Sequence, residues 1–450
     1  MASQRYNLIV IGSGSGALGA AFRIKKEGRS VAVIDSLPFG GTCAQRGCDP
    51  KKVIVGAAEI MDRMKRMEGK GISGTSQINW SELMAFKNTF TEPVPDSRIQ
   101  SMKKAGIAPI NGRAKFINEN CLEVNGEYLE AKKILLANGA KPVPLSIEGE
   151  GYLTYSDEFL SLNKLPENII FVGGGYISFE FAHIAARAGS SVTILHRGER
   201  PLEQFDKDLV GLLMDRTKEV GIDLQLNTDV NKIEKNGNEF IVHGKTNGEK
   251  QTYKGELVVH GAGRIPDIDD MNLDKGNVKF DKGGITVNEY MQSVSNENVY
   301  AAGDASGSPG LPLTPVAGME SRVAAHNILN GNKQKPDYTA TSSVVFTLPP
   351  LASVGMREAE AKKQNIQYKV NYQETPGWYS SKRTGEQHSA FKVLIDEDTD
   401  TILGAHLLGD HYEEVINLFA MAIRFGIKTK EFKKMIHSYP SRSSDIVYML

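Results

Sequence analysis

The strongest constraint on this chain is an internal repeat. Asn7–Asp35, NLIVIGSGSGALGAAFRIKKEGRSVAVID, has the same pattern as Asn168–His196, NIIFVGGGYISFEFAHIAARAGSSVTILH. Each stretch reads as a short apolar strand, a glycine turn, a helix stopped by a glycine (Gly28, Gly189) and a second apolar strand. The turns are Gly12-x-Gly14-x-x-Ala17 and Gly173-x-Gly175-x-x-Ser178. Glycine lets the backbone approach a pyrophosphate, whose charge then rests on the helix N-terminus. One such turn is weak. Here it follows a strand and opens a helix inside a βαβ unit, and it does so twice, which is the context the motif requires. Two structural turns without ligand are the alternative.

The repeats end differently. Asp35 stands 23 positions after Gly12, where a carboxylate can accept from ribose hydroxyls. His196 holds the equivalent place after Gly173, with Arg197 next and Arg200 near. A missing acid and added guanidinium favour a 2′-phosphate. The expectation is FAD at the first turn and NADPH, rather than NADH, at the second.

The 450 residues suffice for several domains, each with its own core. A net charge of -1 argues against nucleic acid or anionic membrane as the main partner. No apolar run approaches the roughly 18 residues of a membrane span, and Leu8–Ile11 is too short for a signal sequence. Three cysteines give no disulfide framework, so a reducing cytoplasm is expected. Cys121 reads as a buried residue in a strand.

The other two cysteines, Cys43 and Cys48, fall together in GGTCAQRGCDPKK, a glycine turn entering a predicted helix. A zinc half-site would need two further soft ligands, and no His or Cys of suitable spacing stands nearby. An inert disulfide is a second alternative. No metal site is expected.

With these motifs the chain resembles the pyridine nucleotide-disulfide oxidoreductases, the family of glutathione reductase and dihydrolipoyl dehydrogenase. GGTCAQRGCDPKK is similar to that family's redox-disulfide motif. ILLANGAKP (Ile134–Pro142) resembles its strand-turn joining the two nucleotide domains, with Asn138 where Thr is usual. GAGRIPD (Gly261–Asp267), VYAAGDA (Val299–Ala305), LTPVA (Leu313–Ala317) and VVFTLPPLASVG (Val344–Gly355) also match family segments.

The resemblance implies an α/β fold with two Rossmann-like nucleotide-binding domains, for FAD and NADPH, plus a C-terminal α+β dimerisation domain. The parts would be 1–141 (FAD), 142–266 (NADPH), 267–337 (completing the FAD domain) and 338–450 (interface). FAD would draw on Gly12, Gly14, Ala17, Asp35, Gly41, Thr42, Gly139, Asp304, Thr314 and Pro315. NADPH would draw on Gly173, Gly175, Tyr176, Ile177, His196 and Arg197, with Gly263 and Arg264 at the exit from its domain. Tyr176 would gate the nicotinamide pocket, and Glu180, four residues on along one helix face, would pair with a lysine beside the flavin, Lys51 or Lys52. Cys48 would lie against the flavin and Cys43 would face the substrate. A Cys-x4-Cys pair at a helix start closes a disulfide without strain if its first member lies in the turn, and the helix N-terminus favours a thiolate. Hydride would pass from NADPH to FAD, and electrons on to the cysteine pair.

The C-terminal end departs from the family pattern. In MIHSYPSRSSDIVYML, Tyr439 stands where the family has its acid/base His, supplied to the partner subunit of a homodimer. The orienting Glu would fall at Ser444; Asp445 is one step further. A phenol near pKa 10 is a poor base but can donate a hydrogen bond. Mercuric reductases resemble this chain in that tyrosine, yet they need a C-terminal cysteine pair, and no cysteine follows Cys121. His437 is read as structural. The position of a glutathione-binding arginine holds Phe22, beside Arg23, and Arg322 matches another that is often basic in the family. Asp49 replaces an aliphatic residue beside Cys48 and should raise the thiol pKa by like-charge repulsion.

The leading expectation is an NADPH-dependent, FAD-containing reductase of a small-molecule disulfide. The second is a related reductase of another electrophile: a metal ion, a quinone, or an oxidised sulfur or halogen species. Dihydrolipoyl dehydrogenase is disfavoured because NAD calls for an acid where His196 stands. Intact Cys43, Cys48, Glu180 and both nucleotide turns argue against a non-catalytic redox-sensing flavoprotein.

Overall fold

The computed structural model describes residues 4–450. The chain divides into two compact units, one formed by the chain up to Lys51 with Phe86–Val143 and Gly263–Tyr338, the other by Lys52–Ala85, Pro144–Ala262 and Thr339–Leu450. The architecture is mixed α/β, with parallel nucleotide-fold sheets and a C-terminal α+β domain.

In the first unit the apolar stretches Gln4–Ile11 and Val31–Asp35 become adjacent parallel strands. The sheet continues through Ala108–Asn111 on one side and Glu127–Leu136 on the other, both parallel, and Val299–Ala301 also pairs with Glu127–Leu136. The short strands Cys121–Val124 and Lys115–Asn118 add an antiparallel edge, and Cys121 is buried there. Helix Ser15–Lys26 presents Ala17, Ala20, Ala21 and Ile24 to the core. Small side chains let it lie close to helix Thr314–Asn330, whose Ser321 Oγ accepts from the Ala20 N–H at 3.1 Å. Gly28, just past the helix end, has the left-handed backbone (φ 75°) that suits glycine.

The second unit contains a four-stranded parallel sheet in the order Asp223–Gln225, Ser191–Leu195, Asn168–Val172, Leu257–His260. Helix Tyr176–Arg187 connects its two central strands. An antiparallel meander, Thr228–Asn236, Glu239–Thr246 and Glu249–Gly255, lies in the same unit. The C-terminal part is a five-stranded antiparallel sheet covered by helix Tyr412–Arg424, which buries Tyr412, Val415, Ile416 and Phe419. Among the described residues no helix is long and apolar enough to cross a membrane.

Candidate active site

In the first unit three glycine-rich segments meet. Gly12 has φ 98°, and a Cβ there would lie 2.2 Å from the Ala137 carbonyl oxygen. Gly41 has φ 74°, and its Cβ would lie 2.4 Å from the Gly14 Cα. Only glycine fits both places, so the pyrophosphate-type turn and the turn before the cysteines touch backbone to backbone. The cleft above them is lined by Gly12, Gly14, Asp35, Gly41, Thr42, Gly139, Arg264, Asp304 and Thr314, together with both Cys43 and Cys48. Ala17 and Pro315 are placed differently from the expectation. Ala17 is buried in the helix packing, and Pro315 is exposed beside Thr314, outside the lining.

Asp35 is held ready by its neighbours. Ser13 Oγ donates to Asp35 Oδ2 at 2.5 Å while accepting from the Gly40 N–H at 2.8 Å, and the Leu37 N–H reaches Oδ1 at 2.9 Å. Burial pushes the Asp304 carboxyl up, with the Arg264 charge opposing. The turn carrying Asp304 is fixed by a residue that sequence reading missed. Glu320, 1% exposed, accepts from the Gly303 N–H (2.7 Å), Ser308 Oγ (2.5 Å) and Tyr338 OH (2.7 Å). Arg113 was also missed; its guanidinium bridges Asp267 and Asp270 at the cleft edge. Asn138 donates to the Asp267 carbonyl, but its buried Oδ1 has no hydrogen-bond partner. A glycine cradle, a ribose-type carboxylate and an orphaned acceptor in one cleft fit a dinucleotide such as FAD.

The cysteines stand on either side of a helix break. Cys43 lies in a short helix, Gly41–Arg46, and Cys48 opens the long helix Cys48–Arg66. The expectation put Cys43 in a turn; it lies instead in a short helix of its own, ended by Gly47. Both thiols are free. Cys48 Sγ is 3.6 Å from Thr314 Oγ1, and Cys43 Sγ is 3.8 Å from Asp49 Oδ1. The hydrogen bond from Cys43 lowers the Cys48 pKa to about 6 against the effect of burial, with Thr314 and Lys51 helping and Asp49 opposing. Cys43 moves the other way: its bond to Cys48 holds the proton on, and burial adds to this. These opposite directions favour the charge on Cys48 and the proton on Cys43 in the reduced pair.

Lys51 is 8% exposed, and its charge acts on Cys48. Lys52 is committed elsewhere, to Glu59 at 2.7 Å and over the Phe346 ring at 4.5 Å. Of the two candidates, Lys51 is the one whose charge acts on the pair.

The second glycine turn lies in the other unit. A Cβ on Gly173 would come 2.4 Å from the Gly261 carbonyl, and Gly175 caps the helix at Tyr176. One face of that helix is tied to the segment 343–348. Tyr176 OH meets Ser343 Oγ at 2.8 Å, Glu180 Oε1 accepts from the Phe346 N–H at 2.8 Å, and His183 Nδ1 accepts from the Leu348 N–H at 3.1 Å. Ile177 packs on the core. His196 follows the second strand of this turn. Its ring is buried against Gly174, Nε2 bonds the Arg200 carbonyl at 2.9 Å, and burial lowers its pKa, so it is a neutral support for the loop after it. Arg200 is spent on the Phe205 and Glu203 carbonyls, which leaves Arg197, on the surface, as the guanidinium open to a ligand. Gly263 and Arg264 belong to the first unit, not to this one.

At the C-terminal end Tyr439 is 82% exposed and Ile436 96%. Ser444 Oγ donates to the Ser441 carbonyl at 2.6 Å, and Asp445 accepts from Ser380 Oγ. Both are bonded to residues other than Tyr439. The His437 ring packs against Phe432, with its buried Nε2 unbonded. Arg23 contacts His326 at 3.5 Å.

The family model "Pyridine nucleotide-disulphide oxidoreductase" matches residues 6–321, and that family's dimerisation domain matches 341–450. The chain is 31% identical over 462 residues to a glutathione reductase of Nostoc sp., covering 99% of each. It is 30% identical over 439 residues to a mercuric reductase of Bacillus cereus, covering 96% of this chain and 69% of that one. A solved structure of the HOCl-induced flavoprotein disulfide reductase RclA from Escherichia coli is similar with TM-score 0.88 and 26% identity, covering 99% of both chains. The chain belongs to the pyridine nucleotide-disulfide oxidoreductases and is a flavoprotein disulfide reductase, implying FAD and a nicotinamide cofactor.

Proposed function

We propose that this enzyme uses NADPH to reduce small oxidised sulfur or halogen electrophiles at the Cys43–Cys48 pair. FAD is assigned to the cleft of Gly12, Gly14, Asp35, Gly41, Asp304 and Thr314, and NADPH to the turn at Gly173 and Gly175 with Arg197 on its 2′-phosphate. The four-part division at 141, 266 and 337 remains our assignment of domains. A bound flavin supplies the exchange of a nicotinamide hydride for an electron pair that sulfur accepts.

The chain's own residues do the rest. With the disulfide reduced, Cys48 holds a thiolate, stabilised by the Cys43 hydrogen bond and by Thr314 and Lys51. Cys43 attacks the electrophilic sulfur or halogen. One group leaves and the thiol proton departs with it. Cys48 then attacks the Cys43 sulfur, restores the disulfide and expels the second group. With hypochlorous acid the products are water and chloride, and the two thiol electrons account for the reduction.

The observation that carries this choice of acceptor is the C-terminal end, where Tyr439 has no orienting carboxylate and Asp445 is held by Ser380. Glutathione-type turnover releases two strongly basic thiolates that call for an acid/base. An electrophile whose last leaving group is a weak base makes a smaller demand. The HOCl-induced relative agrees with this reading. Small disulfides are the second reading, favoured by full-length similarity to glutathione reductases. The test is NADPH oxidation across hypochlorous acid, its sulfur-containing derivatives, small disulfides, quinones and mercuric ion, with enzyme-free rates subtracted. The highest kcat/KM is expected for an oxidised sulfur or halogen species. A higher value for glutathione disulfide or mercuric ion would overturn the assignment. Tyr439 is proposed to act from the partner subunit of a homodimer, donating a hydrogen bond to the leaving group.

A further inference from the structure

The reduced pair presents a difficulty. Cys43 is the sulfur that must attack, yet it is the one that keeps its proton. That proton has to leave as the new bond forms, and the His–Glu pair that handles it in similar enzymes is absent from this chain. One carboxylate touches the sulfur. Asp49 Oδ1 lies 3.8 Å from Cys43 Sγ, within the range of a long S–H···O contact. Catalytic hydrogen bonds are often this long before an acceptor arrives.

The fold accounts for this placement. The chain breaks at Gly47 between the two helices, and Asp49, in the first turn of helix Cys48–Arg66, comes within 3.8 Å of the Cys43 sulfur. Asp49 is the second residue of the long helix, where the N-terminal dipole favours a carboxylate. It is exposed to solvent.

We propose that Asp49 is the proton relay of the oxidative half-reaction, taking the thiol proton of Cys43 and delivering it to the leaving group. This rests on the reading that Cys43 meets the acceptor. As Cys43 Sγ bonds to the electrophilic atom, the bond to the first leaving group breaks, and the S–H, which donates to Cys48 in the resting reduced pair, turns to Asp49 Oδ1 and passes its proton there. Asp49 then gives that proton to the departing anion and returns to a carboxylate. Cys48 attacks the Cys43 sulfur, the second group leaves with its electron pair, and the disulfide forms. No further oxidant or reductant is involved. The acid/base is thus supplied by the subunit that carries the cysteines.

A relay matters most when the leaving group is strongly basic. The test is a single-turnover reaction of NADPH-reduced holoenzyme with hydroxyethyl disulfide, which releases a basic thiolate, and with dithiodipyridine, which releases a weakly basic one. Asp49→Asn is expected to slow the first reaction by about 100-fold and to change the second by less than about 3-fold. Asp49→Glu keeps the ratio of the two rates close to that of the unmodified enzyme. Equal losses with both acceptors, or none with either, overturn the proposal. Cys43→Ser separates the two claims. If it still consumes either acceptor, the assignment of Cys43 fails and the relay with it. If Cys43→Ser is inert while Asp49→Asn keeps the ordinary rate ratio, the relay alone fails.

Discussion

At the scale of single residues, the central fact is that Cys48 ionises because Cys43 does not. The thiol of Cys43 donates to Cys48 and outweighs the cost of burial. Thiolate at Cys48 is present above its pKa of about 6 and is lost as the pH falls through that value. In the reduced holoenzyme, a long-wavelength thiolate-to-flavin absorption should therefore persist at neutral pH and fade near pH 6. Cys43→Ala removes the largest lowering influence, so the midpoint should move up; Cys48→Ala should abolish the band. An unmoved midpoint in Cys43→Ala would contradict this account. The pair was legible in the sequence because both cysteines sit in one short motif. Glu320 was not: it reads as an ordinary helical glutamate until folding brings Gly303, Ser308 and Tyr338 to it. Glu320→Ala leaves those donors unpaired and should cost roughly 2–4 kcal/mol, measured by denaturant unfolding, with weaker flavin retention.

At the scale of elements, the two βα turns were legible because each is written in about thirty consecutive residues with fixed glycine positions. What the sequence could not show is that Gly41 lies against Gly14, since that contact joins two turns in space. Gly41→Ala combines a left-handed backbone with a Cβ 2.4 Å from a neighbouring Cα, so the purified variant should lack flavin absorbance. Sequence reading also missed how helix Tyr176–Arg187 is held. Tyr176, Glu180 and His183 are tied to the segment 343–348, and Arg187 bonds Asp62 at 2.6 Å. Asp62 also takes Arg66 and Arg216. Burial alone would raise the Asp62 pKa, but the three arginines win and lower it. Its contribution to stability is therefore present above the ordinary carboxylate pKa and lost as the pH falls below it. Asp62→Ala leaves buried guanidinium groups without their anion and should cost about 3–5 kcal/mol in thermal or denaturant unfolding.

At the scale of the whole molecule, the fold class was legible because the repeated strand-turn-helix motifs announce parallel nucleotide-fold sheets. The charge logic at His196 was not, because burial of its ring depends on Gly174 and on the loop to Arg200. The exposed C-terminal run from Met435 to Tyr439 belongs to the stretch matched by the family's dimerisation domain. If Tyr439 serves the partner's site, heterodimers of Tyr439→Phe with Cys48→Ala should be more active than the mean of the two parents, since one site per dimer is intact. Activity equal to that mean would place Tyr439 outside the partner's reaction. The most direct test of the central claim is anaerobic titration of the holoenzyme with NADPH, followed by alkylation and peptide mapping. The account predicts that the first equivalent makes Cys43 and Cys48 newly alkylable, with Cys121 unchanged. A flavin that is reduced while neither of these cysteines becomes alkylable would contradict it.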